Sequence, residues 1–480
     1  MQLWRIAQAV TIGALYAVEL GAQSAAFETP HIAHRRYDGA ITTARAVAER
    51  LVWEADLPGL AIAVAIRGDL VWSEGFGYAD LEHRVPVTPL TKFRIGSVSK
   101  PLTAAALMTL VEAGRLDLDA PIQRYVPQFP DKGEPITARQ LAGHLAGIRH
   151  YNEGEGINYH AYTDVLQALE IFAADSLLHP PDTKYRYSSY GYNLLSAVIQ
   201  AAAGEDFLRY IERAVLQPLG MRHTIADHTD SIIPHRTAFY RRDGQVLNAQ
   251  FTDNSYKWAG GGFLSTAEDL VRFGSALLDG GFLQAESVEL LFTSQHTMAG
   301  EATGYGMGWR PREDWHGRRV VHHGGSSKGG RAFLSLYPEQ HLVIAMLANI
   351  NPAPLFEQEA QTLAHFFLEH PADTLLVTAP PRIRGTYEFT TVLRDDSLTG
   401  RFELSGSARR PGWMQWQDAA PISLVAVDTL HAGETRFVGA GAQGLLNVWL
   451  SFTDGRFQGR WDWLGRTSDI RGSRSRHPSN

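Results

Sequence analysis

The chain of 480 residues contains no cysteine. That excludes disulfides, a thiol nucleophile, cysteine-ligated zinc and a lipid anchor on an N-terminal cysteine; an exported protein can fold without disulfides, so the compartment stays open. Basic runs are missing too. A net charge of −7 argues against nonspecific attraction to nucleic acid or anionic lipid, and Arg471, Arg474 and Arg476 read as a frayed terminus. No apolar run is long enough for a confident membrane span. The stretch from Ile6 to Leu20 behind Arg5 is interrupted by Gln8 and Glu19, and small residues follow it at Gly21, Ala22, Ser24, Ala25 and Ala26. It reads as a cleavable secretory signal over residues 1–24, cut near Ala22-Gln23-Ser24, giving a secreted or periplasmic chain without a stable span. An uncleaved anchor or an organellar targeting segment is the alternative. His144, His150 and His160 lack any paired metal-ligand spacing, so neither a metal nor an organic cofactor is expected.

What remains is an ordinary globular composition, 44% apolar and 20% charged, long enough for one large domain and a smaller one. The organising stretch is Gly96-Ser97-Val98-Ser99-Lys100-Pro101. Proline is tolerated only in the first turn of a helix, so Pro101 sets a helix start near Ser97. From Leu102 to Ala113 the sequence is apolar nearly all round, which marks a buried helix, and Gly114 supplies a left-handed stop. Ser97 therefore sits at a helix mouth beside aligned amides, with Lys100 one turn on along the same face. A buried lysine can shed its proton and activate a serine hydroxyl. With six lysines and 26 serines in the chain, an accidental S-x-x-K spacing is about a one-in-three event, so the spacing alone could be a capping serine and a solvated lysine.

The wider wording is more specific. Phe93-Arg-Ile-Gly-Ser-Val-Ser-Lys-Pro-Leu-Thr-Ala-Ala-Ala-Leu-Met108, followed by Val111-Glu-Ala-Gly-Arg-Leu-Asp-Leu-Asp-Ala-Pro-Ile-Gln-Arg-Tyr-Val126, resembles the class C β-lactamase and penicillin-binding-protein-like serine hydrolases. Within them it is most similar to the serine β-lactamase-like proteins first described in mitochondria, which also occur in bacteria. The resemblance runs over residues 40–370 and implies an α/β (α+β) β-lactamase/transpeptidase-like fold, an antiparallel sheet flanked by helices, over residues 35–372.

Further motifs follow in order. His144-Leu145-Ala146-Gly147 stands where the family usually has His-x-Ser-Gly, and His144 is expected to pack near the site rather than bind a ligand. Tyr187-Ser188-Ser189 stands where the family carries its tyrosine tripeptide; the resemblance implies Tyr187 as general base, with Ser189 in the place commonly held by asparagine. Tyr185, Tyr190 and Tyr192 read as aromatic packing. His323-Gly324-Gly325 matches the His-x-Gly that many relatives carry in place of Lys-Thr-Gly, with His322 as the competing histidine. The resemblance implies that Gly324 and Gly325 let a strand edge approach a bound acyl group and that the amides of Ser326 and Ser97 form an oxyanion hole.

Local signals fill in the rest. An amphipathic helix is expected over residues 38–55, then strands 60–66 and 70–76 joined by a turn at Arg67-Gly68-Asp69. A short helical piece is expected over 164–174 and a helix from about Tyr190 to Ala203 ending at Gly204. Ser265 with Glu268 reads as a capping box. Arg318–Gly330 is expected to begin as a strand and turn through its glycines, with strands at 332–337 and 342–348 and a helix from Leu355 to Leu368 behind it. Thr378–Arg382 reads as a linker. Short aromatic strands then give a small all-β barrel or sandwich over residues 383–475.

The expected function is a serine hydrolase working through an acyl-enzyme on an ester, a small peptide or amide, or a β-lactam. Esters and small peptides are favoured over penicillins because His323 offers a weaker, pH-dependent cation than lysine. The alternative is a scaffold that keeps the fold without turnover and self-associates.

Overall fold

A computed structural model describes residues 32–354, 356–369, 383–393, 396–405, 412–417, 422–429, 434–441, 444–463 and 466–475. The expected signal segment, the linker at 378–382 and the expected helix start at residue 355 lie outside them.

The helices that position the site are α1 (Asp38–Glu54), α2 (Ser99–Glu112), α3 (Ser189–Ala203), α4 (Ala267–Asp279) and α5 (Glu357–Glu369). The main sheet has eight strands, β1 (Ile32–Ala33), β2 (Gly59–Ile66), β3 (Asp69–Asp80), β4 (Val85–Pro86), β5 (Arg310–Glu313), β6 (Arg319–Ser327), β7 (Gly330–Tyr337) and β8 (Leu342–Ala348). Their spatial order is β1-β3-β2-β8-β7-β6-β5, with β4 on β3, and all these pairings are antiparallel. Residues from both ends of this half of the chain thus meet in one sheet, where β2 pairs with β8. The hairpin between β2 and β3 turns on Arg67 and Gly68, both at positive φ, as their place between two apolar runs predicts.

The sheet is buried on both faces, and alternation decides what lies on each. Ala61, Ala63 and Ala65 of β2 and Val343, Ala345 and Leu347 of β8 face one core, which holds α2, α3 and α4. Leu60, Ile62 and Val64 with Ile344 and Met346 face a second core shared with α1 and α5. Small residues on the first face let α4 lie close; a Cβ at Gly274 would stand 2.6 Å from Val343 Cγ1. Leu107 of α2 is fully enclosed there. Leu107→Ala is expected to lower stability by about 2–5 kcal/mol, read as a lower urea midpoint at unchanged slope.

Three local expectations shift. The cap of α4 is Thr266, whose side chain accepts from the amide of Asp269, while Ser265 ends a short strand and bonds Thr224 Oγ1 at 2.8 Å. The apolar register of the helix decides this, since it starts one residue later than Ser265 needs. Over 164–174 only the 3-10 turn Gln167–Ile171 forms. The glycines of β6 make no turn: Gly324 and Gly325 stay paired with Phe333 and Ala332, and the chain reverses at Lys328 and Gly329.

The C-terminal strands form a closed antiparallel barrel, β9 (Gly385–Leu393), β10 (Asp396–Leu404), β11 (Gly412–Trp416), β12 (Ile422–Thr429), β13 (Glu434–Gly441), β14 (Gly444–Thr453), β15 (Arg456–Trp463) and β16 (Arg466–Arg474). Tyr387 stacks on Phe402 at 4.7 Å in its core. Arg471 and Arg474, expected to fray, lie in the strand that closes the barrel, paired with Thr390 and Tyr387; Arg476 lies outside the described residues. The barrel is seated on α5. Val438 and Leu445 enter the second core, the Leu445 amide donates to Glu359 Oε1 at 3.1 Å, and buried Arg436 donates to Asn447 Oδ1 at 2.7 Å and to Thr362 Oγ1 at 3.3 Å.

Candidate active site

Ser97 occupies a single 3-10 turn, Gly96–Val98, that feeds α2, and Pro101 falls in the first turn of that helix. Two glycines bring this turn against β6. Gly96 has φ +50, and a Cβ there would sit 2.7 Å from the amide nitrogen of Ser326. A Cβ on Gly325 would sit 1.9 Å from the Ile95 carbonyl oxygen and 3.2 Å from the Ser97 nitrogen. Only backbone without side chains fits on both sides, so Ser97 and Ser326 lie with their main chains adjoining.

Lys100 is fully buried. Its Nζ lies 2.7 Å from the carbonyl oxygen of Gly260, 3.0 Å from Ser189 Oγ and 3.2 Å from Ser97 Oγ. Burial, then the charges of Lys257 and Arg310, hold the amine well below its ordinary value. A neutral amine has two hydrogens and one lone pair. Gly260 and Ser189 accept the two hydrogens, which leaves the lone pair for the Ser97 hydroxyl proton. Ser97 itself is half-buried and reachable.

Tyr187 reaches the same point from the loop ahead of α3. Its ring lies 4.8 Å from Lys100 Nζ, centroid to nitrogen, its phenol is close enough to Ser97 and Ser189 to interact with both, and burial pushes its pKa up, so it is protonated at rest. The start of α3 presents unpaired backbone donors, and two histidines accept them: His144 Nδ1 takes the Ser188 amide and His150 Nδ1 the Ser189 amide, each at 3.1 Å. Burial keeps both rings neutral, that of His150 down at about 4. His144 packs 4.3 Å from the Tyr187 ring, centroid to centroid. Among the described residues no group of three or more His, Asp or Glu could hold a metal ion.

His323 faces the site and His322 the other side of the sheet, stacked on Phe333 at 5.1 Å. The His323 ring is 6.3 Å from that of Tyr187. It is not a cation as the sequence suggested. It is 2% exposed, its Nδ1 donates to the Gly324 carbonyl at 2.7 Å, its Nε2 accepts from the Tyr305 hydroxyl at 3.0 Å, and burial holds its pKa well down. The positive charge comes instead from Arg310 at the head of β5. Its guanidinium lies over the Tyr305 ring at 5.1 Å and the Tyr187 ring at 5.7 Å, and it donates to the Tyr185 hydroxyl at 3.3 Å.

Ser97, Lys100 and Ser189 are therefore joined directly, Tyr187 lies against them with its ring beside the Lys100 amine, Gly325 and Ser326 join by main-chain packing, Gly324 as the acceptor for His323, and His323 through the aromatic shell. Reasoning from sequence missed Tyr151, His150, Gly260, Tyr305, Arg310 and Lys257. Gly260 lay inside a glycine turn already singled out, Trp258–Phe263, but its contribution is a carbonyl that no residue type announces.

A sequence model of the beta-lactamase family matches residues 44–368. The human mitochondrial serine beta-lactamase-like protein LACTB is 32% identical over 402 residues, spanning 64% of this chain and 73% of the human one. Two solved structures share the fold with a TM-score of 0.61. The octameric penicillin-binding protein homologue from Pyrococcus abyssi is 22% identical and covers 90% of this chain and 99% of its own. The D-amino acid amidase from Ochrobactrum anthropi SV3 is 21% identical and covers 69% of this chain and 99% of its own. No helix among the described residues is long and apolar enough to cross a membrane.

Proposed function

This chain belongs to the beta-lactamase family, and from that premise we propose that it is a serine hydrolase working through a covalent acyl-enzyme. The observation that carries the reading is the enclosed Lys100 amine, with acceptors for both its hydrogens and Ser97 Oγ at 3.2 Å. Lys100 takes the hydroxyl proton as Ser97 Oγ attacks a carbonyl carbon. The amides of Ser97 and Ser326 hold the oxygen that becomes negative. The proton returns through the Tyr187 phenol to the departing oxygen or nitrogen, and the same groups then activate the water that releases the acyl group. Tyr187 relays the proton and Lys100 is the base, because burial disfavours the phenolate and the ammonium alike.

Esters and small amides are the proposed substrates, since β6 presents a neutral histidine where the lysine of Lys-Thr-Gly would stand. The amidase named among the structural relatives agrees with this. The octameric relative from Pyrococcus supports self-association without requiring a scaffold role. For the N-terminal segment, the mitochondrial address of the human relative favours organellar targeting over export.

The test is covalent. A fluorophosphonate probe should label the full chain once, on the peptide that holds Ser97, and Ser97→Ala should take no label. A folded wild type that remains unlabelled overturns the reading.

A further inference from the structure

The outer wall of the barrel carries a hollow that the catalytic half does not use. On the inner side of that wall Phe457, Gly472, Phe389, Gly400 and Trp416 stand in one row across β15, β16, β9, β10 and β11, aromatic residues alternating with glycines. Neither glycine has room for a side chain: a Cβ on Gly400 would stand 2.4 Å from Phe389 Cζ, and one on Gly472 2.6 Å from Phe457 Cε1. Their strands therefore sink onto the rings inside, where Phe389 meets Trp416 edge to face at 6.0 Å. The outer face above them is hollowed. The cavity measures about 590 Å³, within the range of about 300–1,000 Å³ that small-molecule sites occupy. Strands β13 and β14, which seat the barrel on α5, lie across the barrel from β9 and β10, so the hollow is turned away from that seat.

Its walls are polar and their side chains are unspent. Along one wall Arg471, Thr390, Thr399 and Gln417 follow one another across the strands, a span of about 14 Å at the ordinary strand spacing. None of these four side chains has a hydrogen bond or ion pair among the described residues. Along the other wall lie Ser473, Glu388 and Arg401, and Arg401 stands 3.8 Å from Glu388, beyond hydrogen-bond reach. Two guanidinium groups against one carboxylate leave the hollow positive, in a chain whose net charge is −7. A guanidinium fork matches a carboxylate on a ligand. The hydroxyls, the amide and Glu388 call for a ligand that also donates and accepts through neutral groups. The barrel is closed, so an extended peptide finds no free edge on which to add as a strand. A chain of hydroxyls that carries carboxylates meets every one of these conditions. We infer that the hollow is a second binding site, for a short acidic saccharide, with Arg471 holding a carboxylate of the ligand while Glu388 and the two threonines bond its hydroxyls. The site draws on none of the residues around Ser97 and stands apart from the acyl-enzyme reading.

Calorimetry on the full chain carrying Ser97→Ala, in which no ester is consumed, tests it. The tetramers of galacturonic acid and of mannuronic acid are compared with their methyl esters, whose carboxylates are masked. At least one acid should bind about ten- to a hundredfold more tightly than its ester, the range of a charge-assisted hydrogen bond. Adding Arg471→Ala should remove that ratio, and Arg471→Lys should return part of it. Arg471 is exposed, so its loss leaves the fold in place. Thr399→Val should weaken acid and ester alike by a few-fold, as the loss of one neutral hydrogen bond does. If neither acid binds more tightly than its ester, the inference falls. It falls as well if tetraglutamate, an acid of similar charge without hydroxyls, binds as tightly as the saccharides, since the hollow is then a plain electrostatic patch. A ratio that outlasts the loss of both Arg471 and Arg401 overturns it too.

Discussion

Replacing Lys100 with methionine is expected to slow acylation of Ser97 by about three orders of magnitude, within the range that general bases contribute. Methionine keeps roughly the length and bulk of the side chain and removes only the lone pair and the two donors. The group left beside Ser97 Oγ is then the Tyr187 phenol, which burial keeps protonated and unable to take another proton. The same substitution should raise stability. In the unfolded chain the lysine titrates near its ordinary 10.5, whereas the folded amine is held well below that. Between those two values the unfolded state binds the extra proton, so stability of the wild type rises with pH across the window. The methionine chain should lose that slope and be the more stable at neutral pH. Urea denaturation at several pH values checks stability, and stopped-flow acylation by a p-nitrophenyl ester checks the rate. In the wild type, acylation should stay level as pH falls from 10.5 until it passes through the depressed pKa. A methionine variant that acylates at the normal rate would transfer the role of base to Tyr187.

Gly325→Ala should cost two to three orders of magnitude in kcat, about the loss of one oxyanion donor. A Cβ there would stand 1.9 Å from the Ile95 carbonyl oxygen and 3.0 Å from the Ile95 carbonyl carbon. Strand β6 resists retreat, because it is paired with β7 through Ser327 and, up to His322, with β5 on the other side. The turn that carries Ser97 must move instead, which separates the two amides. Gly324 is the internal control: its Cβ would meet nothing closer than the Phe333 ring at 3.6 Å, an ordinary contact. Gly324→Ala should therefore cost far less. Equal rates for the two alanine variants in the same esterase assay would remove the close approach from the mechanism.

The positions that could be read from sequence are those where one residue's own chemistry settles the matter. Pro101 and Gly114 bound α2 because one cannot sit deeper in a helix and the other readily takes φ +65 at its end. Tyr187 and Ser189 were legible because a short motif carries them. The glycines of β6 misled, since glycine serves equally a turn and a close approach, and only the partner backbone of Ile95 tells which. Arg471 and Arg474 looked like a tail because the alternation around them is polar on the solvent side; only Ile470, 1% exposed, points inward and marks a strand. The charge of His323 could not be read at all. It depends on Tyr305, which comes from a different loop, and on burial. Arg310 and Lys257 had no spacing signature, since it is the folded sheet and the glycine turn that carry them to Ser97.

The seat of the barrel on α5 bears on inheritance. Glu359 is 3% exposed and held up at about 7 by its burial, and its oxygen is met by the Leu445 amide from the barrel. A descendant that exchanged one half for that of a distant cousin would strand that carboxyl group and bare the surfaces under Val438 and Leu445. Within this chain, then, a change on the side of α5 that meets the barrel constrains what β13 and β14 can carry, and the reverse.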